Sequence, residues 1–252
     1  MNIRLIALAA LGPLTLALAA CSSSQDITIS KVFLSPPWKG IEVATYDVQD
    51  KGVKGSGSCT LTTTPDAEPG KTRLDRECSK DEFRDRGSAL VDSATLRPFS
   101  SSRVYEDTKK GDRTTHTITY DGPAAATFTT DDGRKRRETV RDLPKPDSKS
   151  PDPAYYDDES LLWLARGINL KTGYQAGYAH VINAGQPRIL TVEVRVEVQE
   201  SVSVPAGKFT TWRIRYQRED SIYYVWVDAA APNRMVKARI EDVIYELTAI
   251  KQ

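Results

Sequence analysis

Histidines and cysteines, the residues most often used for acid–base, nucleophilic or metal chemistry, are few in this 252-residue chain. There are two histidines, His116 in Thr115-His116-Thr117 and His180 in Gly177-Tyr178-Ala179-His180, and neither has a second histidine at ligand spacing. Each reads as a surface or hydrogen-bonded histidine rather than a catalytic one. The chain has no Gly-x-Ser-x-Gly elbow, Walker loop or His-Glu-x-x-His helix, and Gly55-Ser56-Gly57-Ser58 is too short and serine-rich to cradle a phosphate. Carboxylates are plentiful at Asp157-Asp158-Glu159 and Asp131-Asp132, and glycoside hydrolysis would need two of them across a cleft. Helix capping accounts for the first cluster and turn chemistry for the second. The expectation is a protein without catalysis, metal ion or cofactor, with a carboxylate-based hydrolase as the weakest alternative.

The cysteines say more. Met1-Asn2-Ile3-Arg4 is a short positive region, and the apolar run from Leu5 to Leu18 is too short to span a bilayer and is interrupted by Gly12-Pro13. It closes with Leu18-Ala19-Ala20-Cys21, which has the form of a bacterial lipobox: an aliphatic residue, two small residues, then the cysteine that is acylated. Residues 1–20 are therefore expected to be a signal peptide and Cys21 the lipidated N-terminus. An ordinary secretory signal with an incidental cysteine is the other reading. Acylation would hold the protein in the cell envelope. Serine rather than aspartate after Cys21 favours the periplasmic face of the outer membrane in a Gram-negative host, and the outer face of the cytoplasmic membrane otherwise. On an oxidising side of the membrane, Cys59 and Cys78 are expected to form a disulfide, because they flank Pro65-Asp66-Ala67-Glu68-Pro69-Gly70 at similar distances with strand-like runs on both sides.

What must position these groups is mostly strand. The formal charge of +1, from 35 basic and 34 acidic residues, gives no field directed at nucleic acid. From Leu190 to Gln199, Leu190, Val192, Val194, Val196 and Val198 alternate with polar residues, then Val204-Pro205-Ala206-Gly207 turns the chain and Phe209 to Tyr216 alternates again. That is a long β-hairpin over Ile189–Gln217. Short strands with turn signals roughly every ten residues precede it, and Gly133-Arg134-Lys135-Arg136-Arg137 reads as a guard on a hairpin edge. Four prolines between Leu143 and Pro153 predict a surface loop. One helix is expected, with Asp157 or Asp158 as N-cap, Leu161, Leu164, Ala165 and Ile168 on its apolar stripe and Gly167 closing it. Ile222-Tyr223-Tyr224-Val225-Trp226-Val227 is apolar on both strand faces, so it is either a core strand covered on both sides or one wall of a groove. The groove would lie between sheet and helix, lined by Leu161, Leu164, Trp212, Ile214, Tyr224 and Trp226. Residues 21–38 then form a lipidated tether and entry loop, and 39–252 a single domain. The fold class is mainly β: a curved antiparallel sheet forming an unclosed half-barrel with one short amphipathic helix on or capping its concave face.

Asp158 to Arg166, Gly173, Val202 to Phe209 with its Pro-Ala-Gly turn, Tyr224 to Val227 and Arg234 to Ala238 together resemble a family of uncharacterised bacterial envelope proteins. That family is similar in fold to the LolA-like and LppX-like half-barrels, which carry lipoproteins and lipids. The resemblance covers mainly Val91–Ile250 and implies an unclosed antiparallel barrel that binds a lipid or another apolar ligand, with no catalytic set to carry over. A structural or assembly lipoprotein that binds another envelope protein is the alternative.

Overall fold

The computed structural model describes residues 29–50, 53–145, 154–182, 187–219 and 221–251. The expected signal peptide, Cys21 and most of the expected proline-rich loop lie outside the described residues. The alternating sequence yields β1 (Glu42–Asp50), β2 (Val53–Glu68), β3 (Lys71–Lys80), β4 (Phe83–Asp92), β5 (Pro98–Asp107), β6 (Asp112–Asp121), β7 (Ala125–Asp131) and β8 (Arg136–Asp142). After them come β9 (Tyr155–Asp157), β10 (Gln175–Ile182), β11 (Arg188–Val204), β12 (Gly207–Arg218), β13 (Ser221–Asp228), β14 (Met235–Ile240) and β15 (Val243–Lys251). All belong to one 15-stranded sheet, in which β8 to β1 descend in order, β1 pairs with β15, and β15 descends to β9. Neighbours are antiparallel except β9 and β10, which are parallel. Residue pairing places Cys59 directly opposite Cys78 on β2 and β3, and they form a disulfide.

The sheet curls without closing, and β8 and β9 are left as its two ends. β10 shows how far the curl goes, because it is buried on both faces. Its Tyr178 belongs to the main core, while Ala179 and Val181 pack with Ile118, Tyr120, Ala126 and Phe128 of β6 and β7. One end of the sheet is thus tucked under the other. This is the strand covered on both sides, and Ala176-Gly177-Tyr178-Ala179 is small or apolar at every position for that reason. β13 is not such a strand: Tyr223, Val225 and Val227 are buried, and Tyr224 and Trp226 between them are half-buried on the opposite, convex face.

Residues 154–168 cross the concave face, and only Asp158 among them is not fully buried. They include a 3-10 turn (Asp158–Ser160) and one α-helical turn, α1 (Leu161–Leu164). Asp157 is the N-cap, its Oδ1 accepting from the Glu159 backbone N–H at 2.8 Å. The helix is shorter than its sequence spacing predicts and has no wet stripe. A single turn does not hold itself in water; the enclosing sheet holds it, so Leu161, Leu162, Trp163 and Leu164 are all buried. Gly167 does not close the helix. It makes room instead, since a Cβ there would stand 2.1 Å from Cε2 of Phe33.

The long hairpin forms as β11 and β12, with Gly207 at φ +135° after the two-residue turn. The turn docks on the body: the Ala206 N–H donates to the Leu247 carbonyl at 2.9 Å. A bulge between Val196 and Gln199 breaks the alternation, so Val198, expected on the dry face, is 40% exposed. β8, the expected guarded edge, is a terminal strand carrying Arg136, Arg137 and Arg141. Among the described residues no helix is long and apolar enough to cross a membrane.

Candidate functional site

Strand pairing builds the site. Across β3, β4, β5 and β6, Arg76, Gly87, Arg103 and His116 stand directly opposite one another in one row. The Glu159 carboxylate, brought by the 3-10 turn, lies over the glycine in that row. Its Oε2 accepts from Arg76 Nη2 at 3.0 Å, and Arg103 Nε stands 3.7 Å from its Oε1. Asp85 binds both arginines, accepting from Arg76 Nη1 at 2.8 Å and from Arg103 Nε and Nη2 at 3.0 and 2.8 Å. Asp158 faces the other way, with Oδ1 2.8 Å from His180 Nε2 and Oδ2 3.7 Å from Arg103. Asp157 Oδ2 accepts from Ser101 at 2.6 Å and Tyr120 at 2.5 Å.

These three consecutive carboxyls titrate in opposite senses. Burial pushes Asp157 above the ordinary carboxylate range in spite of the Ser101 and Tyr120 hydrogen bonds. Burial also raises Glu159, outweighing Arg76 and Arg103. At Asp158 burial pushes upward too, but the His180 hydrogen bond and the charges of His180, Arg103 and Arg218 win and hold it well below the ordinary range. Asp85 is lowered, its two arginines overcoming burial. One polar atom of the cluster is left over: Glu159 Oε1 is buried and has no hydrogen-bond partner, and such a group is costly to keep.

Beside this cluster a cavity of about 360 Å³ opens at one end of the half-barrel. Arg76, Arg103 and Glu159 line its charged side, and Leu161, Leu162, Ile182, Ile240 and Val243 its apolar side. Arg188 and Arg218 stand at strand ends on its wall, held only loosely by Glu219 and Glu241 at 3.7 and 3.6 Å. An apolar trough of about 380 Å³ adjoins it, sharing Tyr105 and lined by Val48, Cys78 and Phe83. The arrangement can bind a molecule with one charged end and one apolar part. Among the described residues no three His, Cys, Asp or Glu side chains converge to hold a metal ion.

The six residues expected to line one groove are not brought together. Leu161 lines the cavity. Leu164 and Ile214 are wholly buried in the main core, and Trp212 packs against it half-buried. Tyr224 and Trp226 lie on the convex face, under Arg213 and Lys237 respectively, with Trp226 Nε1 donating to Glu200 at 2.7 Å. His180 is the hydrogen-bonded histidine its sequence suggested, and His116 is buried against Thr130 at 3.0 Å. Sequence reasoning missed the roles of Arg76, Arg103, Asp158 and Glu159. The parity of β3 held a signal for the first, since Thr72, Leu74 and Arg76 occupy successive inward positions.

No curated protein matches the chain. The crystal structure of a Bacteroides fragilis protein with a YmcC-like fold, thought to be exported, aligns with 88% of this chain and 100% of its own at 12% identity and a TM-score of 0.31. A family model described as a protein of unknown function, DUF3108, matches residues 69–248, well over half of the sequence. The chain is a member of that family, DUF3108.

Proposed function

We propose that this protein is a cell-envelope lipoprotein, anchored through acylated Cys21, that binds a small amphiphile at the open end of its half-barrel without covalent chemistry. The observation that carries the reading is the cavity of about 360 Å³ with Leu161, Leu162, Ile182, Ile240 and Val243 along one side and Arg188 and Arg218 at strand ends. Its volume falls within the range of small-molecule sites. The ligand's apolar part lies against the leucines and continues into the trough under Tyr105; its head group meets the two arginines. The lipid-carrier resemblance of the sequence supports the same class of ligand.

A hydrolytic role has less support, because each carboxylate lining the cavity already has a side-chain partner: Asp158 meets His180, Glu159 accepts from Arg76 and Glu241 accepts from Tyr223. An assembly role finds its support in β8, a terminal strand whose outer edge has no neighbour within the sheet. Native mass spectrometry of a Cys21→Ser form purified from its own host separates these readings. A stoichiometric lipid supports carriage and names the ligand class. A clean apo mass that takes up no added lipid overturns it, and a pull-down that survives blocking of the cavity favours assembly.

A further inference from the structure

At the end of the half-barrel away from the cavity, Pro37, Trp38, Lys39 and Ile41 form an open depression of about 700 Å³ with Ala231 and Pro232. Ile41 is 61% exposed, and Leu34 in the same entry segment is 55% exposed. The base beneath Ile41 is firmly built. Trp38 is buried with the Arg166 guanidinium 5.3 Å from its ring centre, Arg166 is paired with Glu42 at 2.6 Å, and Arg234 is 3.2 Å from the same carboxylate. Exposed apolar side chains on a rigid base mark a contact surface.

Two features of the chain path say what it contacts. β1 leads from Glu42 at this end to Asp50 at the other in nine residues, about 30 Å at ~3.4 Å each. Ile29 bridges Gly177 in parallel, and β10 runs from Gln175 toward Ile182 at the cavity, so at Ile29 the chain runs from the side of the depression toward the cavity. Eight residue steps separate Cys21 from Ile29, a reach of at most about 28 Å.

We propose that this face rests on the lipid surface that holds Cys21, with Ile41 and Leu34 entering the boundary between head groups and acyl chains and the exposed Lys39 meeting anionic head groups. The cavity mouth then points away from the anchoring bilayer. The inference rests on the lipid-anchor part of the proposed function and is independent of what the cavity binds.

The test uses acylated full-length chain, verified by intact mass, in vesicles of phosphatidylethanolamine and phosphatidylglycerol. With Cys21 acylated and Cys59 bonded to Cys78, an environment-sensitive dye on Ile41→Cys or on Lys109→Cys, whose parent side chain is 75% exposed at the cavity end, labels a single site. The expected result is a blue-shifted dye at position 41 that loses most of its emission to nitroxide lipids, with the dye at position 109 reporting water. Both dyes in water, or quenching at position 109 alone, overturns the proposal. A mass without acyl chains refutes the anchor instead. The same labels are then read on Cys21→Ser chain tethered by an N-terminal histidine tag to nickel-chelating vesicles, where quenching at position 41 alone supports the lipid-facing surface and a dye in water at position 41 overturns it.

Discussion

Glu159 occupies the space that a side chain at position 87 would need: a Cβ on Gly87 would stand 1.9 Å from Glu159 Oε2 and 3.1 Å from Arg76 Nη2. The glycine therefore lets the concave face accept a buried carboxylate between two arginines. Breaking such a pair leaves charges buried without compensation. Gly87→Ala is expected to cost about 2–4 kcal/mol, from overpacking and the strained ion pair together. Urea unfolding measures it. Glu159→Ala should absorb part of that penalty, so the double variant is less destabilised than the sum of the singles; additive losses would show that the two residues do not meet.

The carboxyls beside that glycine predict an unusual acid profile. For Asp157 and Glu159 the folded pKa is raised, so the folded chain takes up protons before the unfolded one and gains stability as pH falls from neutral toward the ordinary carboxylate range. Asp158 and Asp85 are lowered; their contribution is present above the unfolded carboxylate pKa and is lost as pH falls through the folded values. A urea midpoint that rises on mild acidification and then drops steeply is expected. Asp157→Asn, which keeps one acceptor for the helix cap and turns its amide N–H toward the Ser101 and Tyr120 hydroxyls, should flatten the mild-acid rise. Asp158→Asn should shrink the later drop by about 1–2 kcal/mol, discounted because the Asp158 side chain is 19% exposed. A monotonic profile unchanged in both variants would overturn the assignment.

How much of this was legible differs by element. The β11–β12 hairpin and the Cys59–Cys78 pair follow from local periodicity and turn chemistry, which the chain carries within a few residues. The burial of β10 on both faces depends on β6 and β7 arriving from some fifty residues upstream, and nothing in Gly177-Tyr178-Ala179-His180 announces them. Asp158 and Glu159 read as cap residues because capping is local, whereas their partners Arg76, Arg103 and His180 are supplied by the curl of the sheet. Tyr224 and Trp226 mislead for the opposite reason: their rings are amphipathic enough to sit on a wet face when a cation covers them.

The disulfide closes a sequence separation of 19, for which the loop-entropy relation gives about 3 kcal/mol. Cys59→Ala/Cys78→Ala is expected to lower the melting temperature by about 6–12 °C for a domain of this size. Reduction should do the same to the parent protein and nothing to the double variant, a comparison that scanning calorimetry makes directly.

The split of the expected groove residues between core and convex face gives contrasting outcomes for two substitutions on adjacent strands. Ile214→Ala empties a wholly buried core position and is expected to cost about 2–5 kcal/mol. Trp226→Ala removes a half-buried ring from the convex face, and about 1 kcal/mol is expected from the lost Glu200 hydrogen bond and Lys237 contact. Neither should alter the head-group selectivity of a bound amphiphile once stability is matched by temperature. A selectivity change in Trp226→Ala would move the binding face to the convex side.

Arg218 offers the sharpest reading of the cavity, because its guanidinium lines the wall, lies 4.8 Å from the centre of the Tyr223 ring and, among the described residues, has a 3.6 Å contact with Glu241 as its ion pair. Asp158, which the Arg218 charge also helps to hold ionised, keeps His180 and Arg103 when this side chain turns to a ligand, so Arg218→Gln should leave stability within about 1 kcal/mol of the parent. Binding of a fluorescent fatty acid is expected to weaken about tenfold, the loss of one charge-assisted hydrogen bond. The corresponding fatty alcohol, which has no charge for the arginine to meet, should bind parent and variant equally. Displacement titrations with the two probes decide the matter: equal loss for acid and alcohol would mean that Arg218 only shapes the cavity, and no loss for either would place the head group elsewhere.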